Sequence, residues 1–142
     1  MSTTYIPANL RRAVIARANG RCEYCLMSEE DTGTRHEVDH IVAEKHGGET
    51  IMDNLCFACF LCNRNKGSDV ASYTEDGLLT AFFNPRNQVW SDHFRIVGSR
   101  IEPRTGVGEV TAKLFQFNTA ERCEERRGLQ EAGRYPMEEQ SI

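Results

Sequence analysis

Residues 36–67 read HEVDHIVAEKHGGETIMDNLCFACFLCNRNKG, and the reading of this stretch decides the fold. HEVDHIV alternates as a strand does, with Val38 and His40 pointing one way and Glu37, Asp39 and Ile41 the other. AEKHGGETIMD is a connecting loop that turns at Gly47-Gly48. NLCFACF, opened by Asn54, is a second strand, and the knuckle Cys59-x-x-Cys62 leads into a short helix over FLCNRNKGSDV. The pattern predicts a β-hairpin followed by a helix, with a metal pinned across it.

A second knuckle, Cys22-x-x-Cys25, lies upstream. Zinc favours four thiolates in a tetrahedron, and two Cys-x-x-Cys pairs supply them at the right bite. Residues 26–58 separate the pairs, which is long for a compact zinc ribbon but enough to hold a hairpin. The bland alternative is a pair of redox dithiols, yet neither knuckle sits in a thioredoxin-like βαβ pattern. Structural Zn2+ held by Cys22, Cys25, Cys59 and Cys62 is therefore expected. Cys56-x-x-Cys59 is also a permissible pair; Cys59-Cys62 is preferred because Asn63 then enters the helix directly. Cys56 becomes a small buried residue of the second strand, and Cys123 a free thiol.

With 142 residues, 39% hydrophobic and 27% charged, the chain suits one globular domain with a modest core. No run approaches the ~20 apolar residues of a membrane span, and the first residues lack the pattern of a signal peptide. A cytoplasmic location is the expectation, where paired cysteines more often bind metal than form disulfides. A net charge of −4 argues mildly against a non-specific nucleic-acid coat. Residues 1–6 read as a loose start. ANLRRAVIARANG reads as a helix with Leu10, Val14, Ile15 and Ala18 on one face and a stop at Asn19-Gly20. SEEDTGTR is an exposed acidic loop. Beyond Ser68, TEDG is a turn. The aromatic stretch containing Phe82, Phe83, Trp90 and Phe94 is core rather than a base-stacking platform. HFRIV and SRIEP form a hairpin about Gly98-Ser99, and Val107, Val110, Leu114 and Phe117 recur at helical spacing. Asn118 caps a last, charged and mostly exposed helix over TAERCEERRGLQEAG, and RYPMEEQSI is a tail.

The order Cys-x-x-Cys, Asp-His-Ile, Gly-Gly, Asn-Leu and Cys-x-x-Cys-Asn-x-x-Lys resembles the His-Asn-His (HNH) endonucleases over residues 10–68. FFNPRNQVWSDHF, with the Gly-rich start of the helix after it, is similar to the extension of small stand-alone bacterial members. The resemblance implies an α+β chain with a ββα-metal (His-Me finger) core over residues 7–68. An N-terminal helix precedes that core, and a C-terminal extension of hairpin and helices over 69–142 belongs to the same single domain. It implies His40 as general base, Asp39 and Asn63 as ligands of a catalytic divalent ion, and Asn54 as the brace of the loop carrying the base. Where many relatives have His, Asn63 offers a neutral oxygen, which favours Mg2+ or Mn2+. Relatives often carry Pro where this chain has Ala43.

The chemistry is coherent on its own terms. Phosphodiester hydrolysis needs an oriented water, a base of suitable pKa and a cation on the leaving oxygen. Histidine is the side chain that titrates nearest working pH. Asp39 and His40 are adjacent in a strand, so the backbone must bend for both to serve one phosphate. Lys66, Arg64 and His46 are candidate contacts to the DNA backbone, each weighed against a solvated surface. His36 reads as a surface strand histidine or a helper of His40, and Asp92-His93 as packing. The expectation is an enzyme that nicks or cuts DNA; one such site handles one strand, so a double-strand break needs a homodimer or two successive nicks. A zinc-stapled nucleic-acid-binding module without catalysis, and a protein-interaction domain, are the alternatives.

Overall fold

The computed structural model describes residues 5–136; the outer parts of the expected loose start and tail, residues 1–4 and 137–142, lie outside the described residues. Helix α1 (Ala8–Arg17) begins at Pro7, whose fixed φ suits a helix start. It buries Val14, with Leu10 and Ile15 partly covered beside it. Asn19 (φ 55°) and Gly20 (φ 70°) turn left-handed and end it where the sequence predicted.

The hairpin forms from β1 (Glu37–His40) and β2 (Leu55–Ala58), antiparallel, with Asp39 opposite Cys56 and His40 opposite Leu55. Period-two alternation gives β2 two different neighbours. Leu55 and Phe57 pack with Val38 on Val14 of α1 and on Ala18, which caps its C-terminus. Cys56 and Ala58 enter a larger core with Tyr24, Phe82, Phe83, Phe94, Phe115 and Phe117. A strand covered on both faces explains why all four of its residues are buried. Helix α2 (Phe60–Lys66) follows at once and ends at Gly67 (φ 54°), shorter than the stretch read as helix.

The extension supplies most of the larger core. A small hairpin, β3 (Ala71–Tyr73) with β4 (Leu79–Ala81), surrounds the turn at residues 74–77. Then come a single helical turn α3 (Trp90–His93), the hairpin β5 (Phe94–Val97) and β6 (Arg100–Pro103), helix α4 (Gly106–Leu114) and helix α5 (Ala120–Glu131). A Cβ on Gly108 would stand 2.1 Å from the carbonyl oxygen of His93, so only glycine allows α4 to lie this close to α3. Phe117 is fully buried but lies past the end of α4, where Gln116 (φ 55°) breaks the helix.

One expectation for α5 is corrected. Its N-cap is Thr119, which accepts the N–H of Arg122, while Asn118 instead pairs with both backbone groups of Ile101 (2.9 and 2.8 Å). As expected, α5 is charged and mostly exposed, but it buries Arg122 and Arg126. The Arg126 guanidinium donates to Ser99 O (2.7 Å), Phe117 O (2.7 Å) and Asn118 Oδ1 (3.0 Å), tying α5 to the β5–β6 turn.

Long-range polar contacts bind the extension to the first half. Trp90 Nε1 donates to Tyr24 O (2.8 Å), and Tyr135 Oη donates to Cys25 O (2.8 Å). Arg86 pairs with Glu23 and also donates to Leu55 O (3.2 Å), the carbonyl that Arg17 reaches at 2.6 Å. No helix among the described residues is long and apolar enough to cross a membrane.

Candidate metal centre

The sulfurs of Cys22, Cys25, Cys59 and Cys62 lie within 4.8 Å of one another, all buried. Cys25 Sγ and Cys59 Sγ, one from each knuckle, are 3.7 Å apart. A tetrahedron with zinc–sulfur bonds of ~2.3 Å has edges of about 3.8 Å, so the cluster has the dimensions and chemistry of a tetrathiolate site. Backbone N–H groups aim the sulfurs: Cys22 Sγ accepts from Tyr24 and Cys25, and Cys59 Sγ from Cys62, each at 3.4 Å. Hydrogen bonds from Cys22, Cys59 and Cys62 hold the Cys25 thiol well below its ordinary range. The four thiols could therefore hold a structural metal ion.

Cys56 is not part of this group. It sits on β2, 1% exposed, with its thiol against Tyr24 Oη (3.5 Å), and burial pushes it up to about 12. Cys123 is half-buried and near Asn118 Oδ1.

Beside the cluster, Asp39 and Asn63 line one open depression of about 520 Å3, together with Glu37, Arg11 and Arg35. Two arginines stand there against three carboxylates, counting Glu29, so the walls hold excess negative charge suited to a cation. Asn63 Nδ2 donates to Glu37 Oε1 (2.8 Å), which orients the amide and turns its oxygen away from Glu37. Burial pushes the Asp39 carboxyl up, while the His40 backbone N–H and the charge of Lys66 pull it down. These hard oxygen donors suit Mg2+ or Mn2+ rather than a soft ion. Glu37 escaped the sequence reading, although its position two residues before Asp39 puts it on the same strand face.

His40 is placed differently. Its side chain lies on the buried face of β1, 2% exposed, outside the lining of that depression. Nε2 is 2.9 Å from Thr50 Oγ1, and Nδ1 is enclosed without a hydrogen-bond partner. Asn54 clamps the loop that follows: Oδ1 accepts the Val42 N–H (2.9 Å), and Nδ2 donates to Val42 O (3.0 Å) and Glu49 O (2.9 Å). Gly48 fits beneath this clamp, where a Cβ would lie 1.7 Å from Val42 O.

Among the proposed DNA contacts, His46 and Arg64 are exposed, Arg64 lying over the Phe60 ring. Lys66 is 4% exposed, with its Nζ enclosed, at the end of α2. Burial pushes its ammonium down, and the charges of Cys56, Asp39 and Asp69 pull it back up. His36 is corrected, being buried (6%) with Nε2 at 2.8 Å from Met27 O.

Nothing among curated proteins matched the chain, and no solved structure matched it. Residues 22–69 match the family model described as HNH endonuclease, a segment that takes in both knuckles, the hairpin and α2. Over that segment the chain is thus similar to the HNH endonuclease family.

Proposed function

We propose that this protein is a divalent-metal-dependent endonuclease that hydrolyses phosphodiester bonds of DNA, built on a ββα-metal core stapled by Zn2+. The observation that carries the reading is that Asp39 and Asn63, distant in sequence but both in the HNH-matched segment, line one depression. Asp39 and the Asn63 amide oxygen would hold Mg2+ or Mn2+, with Glu37 fixing the Asn63 amide through its NH2 group. When bound, the ion polarises the scissile phosphate and stabilises the leaving oxygen. Arg11 and Arg35, on the walls, draw the phosphodiester backbone in, and exposed His46 and Arg64 extend the path.

His40 takes the proton from the attacking water. Its Nε2, 2.9 Å from the Thr50 hydroxyl, is the nitrogen that accepts this proton in the proposed reaction. Asn54 keeps the loop beyond His40 in place. The whole chain works as a single cytoplasmic domain, and one such site cuts one strand, so a double-strand break needs a homodimer or two successive nicks.

Incubating plasmid with the protein and Mg2+ or Mn2+ tests this. Wild type is expected to nick, and His40→Ala to nick at least ~100-fold more slowly with its zinc retained. A zinc-replete His40→Ala that cuts like wild type overturns the assignment of the base. The enclosure of His40 favours a second reading, a binding module without catalysis. Plasmid bound but left intact with either ion selects it.

A further inference from the structure

We propose that Arg122, from α5 outside the HNH-matched segment, is the built-in counter-charge of the tetrathiolate centre and secures its metal against loss. The proposal rests on the reading of Cys22, Cys25, Cys59 and Cys62 as metal ligands. Four thiolates around a divalent ion leave two surplus negative charges, and these thiols are fully buried beside Tyr24, Phe115 and Phe117. A buried charge in such surroundings is costly without a partner.

Arg122 is that partner. Its Nη2 donates to Cys62 Sγ at 3.3 Å and lies 3.7 Å from Cys59 Sγ. The side chain is 6% exposed, so water does little to screen the contact. The guanidinium is fixed independently of the sulfurs: Nη1 donates to Phe115 O (2.9 Å) and Gln116 O (3.2 Å), just past α4. The same group lies over the Phe117 ring at 5.8 Å. The Thr119 cap starts α5 three residues before Arg122 and so sets where this side chain begins. One planar fork thus meets two carbonyls on one edge and two sulfurs on the other, which an ammonium cannot do.

Both contacted sulfurs belong to the second knuckle, whose last cysteine directly precedes Asn63. A donor on these sulfurs withdraws electron density from them and steadies the start of α2. The extension therefore completes the metal centre electrostatically and holds the helix that presents Asn63. A purely architectural arginine would need only its two carbonyls, and its loss would leave the electronic character of the sulfurs unchanged.

The test uses the full chain loaded with Co2+ or Zn2+, comparing wild type with Arg122→Lys, Arg122→Gln and Arg122→Met. With Co2+, the sulfur-to-metal charge-transfer band is expected to move to lower energy in Arg122→Met, because the unpaired sulfurs become better donors. With Zn2+, transfer to a chromophoric chelator is expected to run about 10–100-fold faster in Arg122→Met, the range that outer partners of metal ligands command. Arg122→Lys should restore slow release better than the neutral Arg122→Gln. A wild-type band and release rate in Arg122→Met overturn the proposal. If Arg122→Met does not fold, equal release from the Lys and Gln variants overturns it, since charge then makes no difference. A wild-type chain that takes up neither ion removes the metal-centre reading itself and the role of Arg122 with it, whereas failure to cut DNA leaves both readouts intact.

Discussion

Gly48 and Asn54 carry single-residue consequences that follow from contact geometry. A methyl group at position 48 would meet the backbone oxygen of Val42, which cannot swing aside as a side-chain tip could. Gly48→Ala should lower stability by about 2 kcal/mol, read from the urea midpoint, and reduce nicking with it. Asn54→Ala removes three hydrogen bonds and leaves the Val42 N–H and two carbonyls seeking partners. A loss of about 2–3 kcal/mol is expected by the same measurement. The two positions share one loop and contact each other, so the double variant should lose less than the sum of the singles.

At the scale of elements, α5 is held by a residue type seldom credited with core packing. Arg126, 1% exposed, supplies donors to the β5–β6 turn and to the segment after α4. Arg126→Ala should cost about 3 kcal/mol, and hydrogen exchange should quicken at residues 98–101 before it does in β1 and β2. The run TAERCEERRGLQEAG gave no sign of this, since a buried arginine and a solvated one look alike until their carbonyl partners are known. The first hairpin, by contrast, was legible because its alternation, Gly-Gly turn and cysteine spacing agree with one another. Strands β3 and β4 span three residues each, too few to display a period, so only their turn could be read. Of the residues lining the depression, Asp39 and Asn63 were singled out by the family resemblance. Glu37, Thr50 and Arg122 become visible only through their partners in space. The burial of Lys66 was hidden because a helix of seven residues has no face long enough to show a pattern.

Over the whole molecule, the four thiols belong to the larger core itself rather than to a peripheral loop. Stripping the metal with a chelator should therefore abolish the cooperative thermal transition, not merely shift it, with near-ultraviolet circular dichroism and zinc content falling together. High pH attacks the same core by another route. Burial raises the Cys56 thiol from 9.0 to about 12 and raises Tyr24 well above its ordinary range. A group whose folded value is raised contributes stability that is complete below its unfolded value and fades as pH climbs through the folded one. Urea midpoints measured on the metal-loaded protein should thus decline from about pH 9 toward 12. Cys56→Ala should flatten that decline.

The bond from Tyr135 Oη to Cys25 O has a temporal meaning. A nascent chain that has emerged only as far as residue 69 already holds the complete HNH-matched segment and every cysteine of the cluster. It still lacks the tyrosine that seals the first knuckle and the aromatic residues that enclose both. Enclosure of the thiols is consequently a late event of synthesis, so a prematurely terminated polypeptide bearing the full motif is expected to expose all four of them.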